Sequence, residues 1–128
     1  MGPPAALEPK GKPFTVRLTP AVERWIVHEA TRTKRSKSTV LEGLAQEAIR
    51  SRRFPGIAFR GPAHDRRAWL VGTALDVWEV IEAIQAMGQE RLLADGGLSE
   101  GQLRLAMSYY REDPAGIDQA IADNQRPE

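Results

Sequence analysis

Residues 13 to 20 read Pro13-Phe14-Thr15-Val16-Arg17-Leu18-Thr19-Pro20. Phe14, Val16 and Leu18 alternate with Thr15 and Arg17, the period-two pattern of a strand buried on one face. Thr19-Pro20 then stops the strand and opens a helix, with threonine at the cap and proline at the first helical position, where its missing N–H costs nothing. No second strand signal lies nearby. A lone strand leaves its backbone groups unpaired, so the simplest arrangement pairs it with the same strand of a second chain, apolar side chains turned down onto a shared core.

The helix expected from 20 to about 33 places Val22, Trp25, Ile26 and Ala30 on one stripe at three- and four-residue spacing, and that stripe is expected to be core. After the basic turn Thr33-Lys34-Arg35, Ser36 or Ser38 caps a second helix running to about residue 52, with Val40, Leu41, Leu44, Ala45, Ala48 and Ile49 as its apolar face. Both helices are too short and too one-sided to stand alone.

Strand, turn, helix, basic turn and capped helix, carried by residues 14–20 and by Lys34-Arg35-Ser36-Lys37-Ser38-Thr39-Val40-Leu41, resemble the ribbon-helix-helix repressors, the superfamily of Arc and MetJ. The resemblance covers about residues 12–53. It implies a dimer whose core holds Phe14, Val16, Leu18, Val22, Ile26, Val40, Leu41 and Leu44, and whose two-stranded ribbon lies in the major groove of DNA. Pro13, Thr15 and Arg17 would then contact bases. Arg17 suits guanine O6 and N7 best, because it donates two hydrogen bonds. Phosphate contacts would fall to Lys12, Arg35, Ser36, Lys37 and Ser38, around the amino end of the second helix and its positive dipole. One departure stands out: Lys34 occupies the turn where the family often has glycine, and a left-handed conformation there costs a lysine about 1 kcal/mol.

The charge divides along the same line. The whole chain is formally +1, but residues 1–53 hold 11 Lys and Arg against five Glu, a net +6, and residues 54–128 hold seven basic against 12 acidic residues, a net −5. That asymmetry points to a polyanion partner for the first half and to a different partner for the second. At 128 residues the chain holds one ordinary domain or two very small ones, and small domains bury little surface unless they associate. No apolar run approaches a bilayer span, and residues 1–12, with Pro3, Pro4 and Pro9, read as a flexible arm without the apolar stretch of a secretory signal. The absence of cysteine fits a reducing compartment, and a cytoplasmic location is expected.

Phe54-Pro55-Gly56 ends the second helix and opens a module at 54–125. Residues 57–60 and 68–71 are short apolar runs around a Gly-Pro-rich loop, a weak hairpin signal. Asp76-Val77-Trp78-Glu79 is a capping-box start for a helix carrying Val77, Val80, Ile81, Ile84 and Met87 up to Gly88. A short helical piece around Leu92 and Leu93 stops at Gly96-Gly97. Ser99 with Gln102 starts a helix bearing Leu103, Ala106, Met107 and Tyr110, and Asp113-Pro114 starts a last one bearing Ile117, Ala120 and Ile121. The order of these segments resembles the domain of unknown function family 433, a compact, helix-turn-helix-like fold. A module of that kind behind a DNA-binding one resembles VapB-type antitoxins. What this implies is a mainly α protein that represses its own operon as a dimer, or dimer of dimers, and neutralises a toxin, commonly a PIN-like ribonuclease. A free-standing regulator whose second half oligomerises or senses a ligand is the alternative.

No catalytic constellation emerges from the residues. His28 and His64 have no companions at metal-ligand spacing, phosphate-cradling glycine signatures are absent, and Glu79 and Glu82 read as helix-surface or capping residues. No enzyme activity, metal or cofactor is expected.

Overall fold

A computed structural model describes residues 10–125. The chain is mainly helical with one two-stranded sheet: α1 (Pro20–Thr33), α2 (Lys37–Arg53), β1 (Ile57–Arg60), β2 (Arg67–Leu70), α3 (Val77–Met87), α4 (Gln89–Asp95), α5 (Glu100–Glu112) and α6 (Pro114–Gln125). None of the described helices is long and apolar enough to cross a membrane. Most of the expected flexible arm lies outside the described residues.

Helices α1 and α2 pack against each other around a small cluster of Ile26, Ala30 and Val40, flanked by half-buried Leu18 and Leu41. Thr19 holds the extended backbone of a cap, but its hydroxyl makes no capping bond, so Pro20 alone marks the start of α1. At α2 the cap is Ser36 rather than Ser38: its Oγ accepts from the Thr39 N–H at 3.0 Å. Val22 and Trp25, expected as core, are exposed in the single chain, as are Leu44 and Ile49.

The second half is built around a larger core of thirteen buried residues contributed by the hairpin, all four later helices and Leu98 of the loop before α5. Strands β1 and β2 pair antiparallel, Ile57 opposite Leu70 and Arg60 opposite Arg67. Gly61, at φ +110°, begins the turn, where a side chain would collide with the Asp65 carbonyl. Helix α3 packs on α5, α6, α4 and β2. The Glu79 carboxylate accepts from the Asp76 N–H at 2.8 Å, the reciprocal half of the expected capping box, and Ser99 with Gln102 forms the full box. Two core assignments shift. Tyr109, not Tyr110, is the buried ring of α5, continuing the three-residue spacing of Leu103 and Ala106, while Met87 at the end of α3 stays exposed.

Asp76 carries more than a cap. Its side chain is about 5% exposed and accepts from Arg60 Nε at 2.8 Å, Arg67 Nε at 2.8 Å and Trp78 Nε1 at 3.1 Å. Arg60 also lies over the Trp69 ring, 5.1 Å from its centroid, and Trp69 donates to the Thr73 carbonyl. One carboxylate thus ties both strands to the start of α3. Removing one partner of a buried ion pair costs about 3–5 kcal/mol, and the part-exposed arginines bring this to the lower end. Asp76→Ala is expected to lower the unfolding free energy by about 3 kcal/mol in urea titration.

The halves meet along the carboxy-terminal part of α2. Arg53 makes two bonds to Glu112 at 2.6 and 2.9 Å, Arg50 donates to the Tyr109 hydroxyl at 3.0 Å with Asp113 at 3.6 Å, and Arg66 makes two bonds to Glu47 at 2.9 and 3.0 Å. The Phe54 ring stands edge-on to Tyr109 at 5.4 Å. Burial pushes the Tyr109 phenol above its ordinary value of 10.0, against the pull of Arg50. A raised acid favours the folded state below the unfolded value, and that stability is lost as pH rises through the folded value. Denaturant midpoints should therefore fall above about pH 10, and Tyr109→Phe should flatten that fall.

Candidate nucleic-acid interface

Residues 10–19 form neither strand nor helix in the single chain, although period-two alternation predicts a strand there. Among the described residues the sheet holds only β1 and β2, so the segment is not laddered onto either of them. Phe14 is 86% and Val16 52% exposed, whereas Leu18 rests on the α1–α2 cluster. Lys12, Pro13, Thr15 and Arg17 are all exposed, so the side chains expected to contact DNA are open to solvent.

The expected phosphate-binding group sits at the α1–α2 turn. Lys34 has φ 56° and ψ 44°, the one non-glycine residue with positive φ among those described. Its N–H satisfies the Thr31 carbonyl and that of Arg35 satisfies Ala30, which closes α1 and fixes where α2 begins. Arg35 Nε donates to the Thr33 hydroxyl at 3.2 Å. Lys37 pairs with Glu23 at 2.6 Å in a solvent-exposed bridge, a contact of little net worth that an incoming phosphate could displace. Ser36 and Ser38 differ in situation: the Ser36 hydroxyl is engaged by Thr39, and both serines are exposed.

The structure thus brings Arg35, Ser36, Lys37 and Ser38 together at one helix start. Lys12, Pro13, Thr15 and Arg17 lie on the separate extended segment. Sequence reasoning missed Arg66. Besides Glu47, its guanidinium donates to the carbonyls of Gly61 and Phe59 at 2.7 and 3.0 Å, stapling the hairpin turn to α2. No spacing rule flags such a contact, because Glu47 and Arg66 are nineteen residues apart. Among the described residues no three His, Asp or Glu side chains stand close enough to hold a metal.

Comparison of the chain with protein-family models, with curated proteins and with solved structures found no match to any of them.

Because αL backbone strains a lysine and not a glycine, Lys34→Gly should raise stability by about 0.5 kcal/mol, the roughly 1 kcal/mol of relieved strain less about 0.5 kcal/mol for the entropy of the added glycine. A thermal melt of the two proteins checks this, and an unchanged or lowered midpoint contradicts it.

Proposed function

We propose that this chain is a sequence-specific DNA-binding antitoxin of a type II toxin–antitoxin system, which dimerises through residues 13–53 as a ribbon-helix-helix module and represses its own operon. The observation that carries the reading is the exposed alternation of residues 14–18: two large apolar side chains bare on one side, Thr15 and Arg17 between them, and no strand pairing with the segment among the described residues. Two such segments paired about a twofold axis would cover Phe14 and Val16 and present both arginines outward, in a ribbon of the width that the major groove admits. The net +6 of residues 1–53 supplies the attraction to phosphate.

In this reading the second half, net −5, engages the toxin, whose class by resemblance is a PIN-like ribonuclease. Opposite charge speeds the encounter with a basic nuclease, and exposed Val71 and Met87 are available as apolar anchors. The core of the second half, complete within the single chain, equally suits the second reading of a free-standing regulator whose second half oligomerises or senses a ligand. Coexpression with neighbouring reading frames separates them: a stable complex supports the antitoxin, and a self-associated tetramer without any other protein supports the regulator.

DNA binding is tested by fluorescence anisotropy on the upstream region of the gene. Affinity should fall steeply with salt, as phosphate contacts require, and a salt-independent affinity would remove the DNA role. Arg17→Ala should cost about 1–3 kcal/mol on the preferred sequence while non-specific binding persists and the melting curve stays unchanged.

A further inference from the structure

A groove of about 530 Å³ runs between α1, α2 and the hairpin turn. Trp25, Val40 and Leu44 line it from the first half, and Phe59, Pro62 and Ala63 from the second. Trp25 is 53% and Leu44 40% exposed, a cost to a single chain that the described contacts do not relieve.

We propose that a second copy of this chain fills the groove, so that the hairpin turn of the second half belongs to the dimer interface together with the ribbon. The inference rests on the dimeric reading of residues 13–53.

Charge argues against other occupants. Glu29 is held by two bonds from Arg32, which keep its carboxyl below its usual value, and Glu47 is held by two from Arg66. A basic peptide therefore finds no uncommitted carboxylate in the groove. Arg32, Arg50 and Arg66 each already face an acid, which leaves Arg35, at the end near the α1–α2 turn, as the exception to a surface poor in sites for a polyanion. Beside these paired charges and Gln46, the groove presents the apolar surface of Trp25, Leu44, Phe59, Pro62 and Ala63.

The complement is on the same chain. Leu44, Ala45, Ala48 and Ile49 form an exposed apolar stripe along α2, Ile49 being 56% exposed. Leu44 belongs both to that stripe and to the groove wall. A surface that carries a cleft and an adjoining ridge of matching character satisfies the self-complementarity of a twofold contact, in which each copy gives its ridge and receives the other's. Pairing of residues 14–18 brings the two α1–α2 units to the same axis, so ribbon, stripe and groove become one continuous interface.

The chain has no cysteine, which makes Ala63→Cys a unique attachment site in the turn. A photo-crosslinker on this residue should give covalent dimers, with the crosslink mapped to α1 or α2 of the second copy; crosslinks confined to a single chain overturn the inference. In sedimentation velocity on the full chain, Ala63→Arg should weaken the dimer about tenfold or more with unchanged helix content, in keeping with a charge placed at an interface core. Phe14→Ala tests the ribbon separately. A dimer that Phe14→Ala dissociates but Ala63→Arg leaves at the wild-type constant overturns the role of the turn alone. A wild-type chain that stays monomeric at about 100 μM overturns the dimeric reading as well.

Discussion

Burial of apolar surface is distributed unevenly along this chain, and most of its organisation follows from that. The second half closes thirteen residues into its own core, whereas the first buries three. Among the described residues nine large apolar side chains are left exposed, and seven of them lie before residue 54: Phe14, Val16, Val22, Trp25, Val27, Leu44 and Ile49. Covering such a side chain fully is worth about 1.5–3 kcal/mol, so the uncovered set represents on the order of 10 kcal/mol, as much as the whole stability of an ordinary domain. In the dimeric reading proposed above, a helix pair with this deficit is a half-core. The proposed second copy supplies the other half, and the DNA-reading ribbon would then be a by-product of the same pairing that completes the core.

Helix α2 joins the two regimes. Its first turns hold Val40 and Leu41 in the small cluster, and its last turns carry Glu47, Arg50 and Arg53 into contact with the hairpin and α5. No linker separates the halves, because Phe54 caps α2 and packs on Tyr109 before β1 begins at Ile57. Charged residues that look like a solvated helix end in the sequence are in fact the seam of the molecule.

The helical architecture was legible in the sequence because its boundaries rest on local chemistry. Pro20, the Ser36 cap, the Asp76 and Ser99 boxes and Asp113-Pro114 each satisfy orphan helix N–H groups or set the first turn, and such effects need no distant partner. The left-handed backbone at Lys34 was anticipated only through the resemblance, in which that turn often holds glycine, and not from spacing or composition. Contacts set by tertiary packing were not legible. The Asp76 hub, the Arg66 staple and the choice of Tyr109 over Tyr110 depend on which faces meet, and adjacent positions on a helix differ by a hundred degrees of rotation that composition does not reveal. Strand-like alternation at 14–18 was readable as a pattern, yet a ladder needs a second edge, and none pairs with it among the described residues.

The seventeen residues of α2 also set a distance. At 1.5 Å per residue, about 25 Å separates the start of α2 from its end at Arg53, and about 15 Å separates it from the first seam contact at Glu47. Electrostatic fields in physiological salt decay over about 8 Å, so a nucleic acid held at the amino end of α2 would lie about two screening lengths from Glu47 and three from Arg53. In the proposed reading the helix would act as a spacer, attenuating the field of the acidic second half before it reaches the phosphate-binding end.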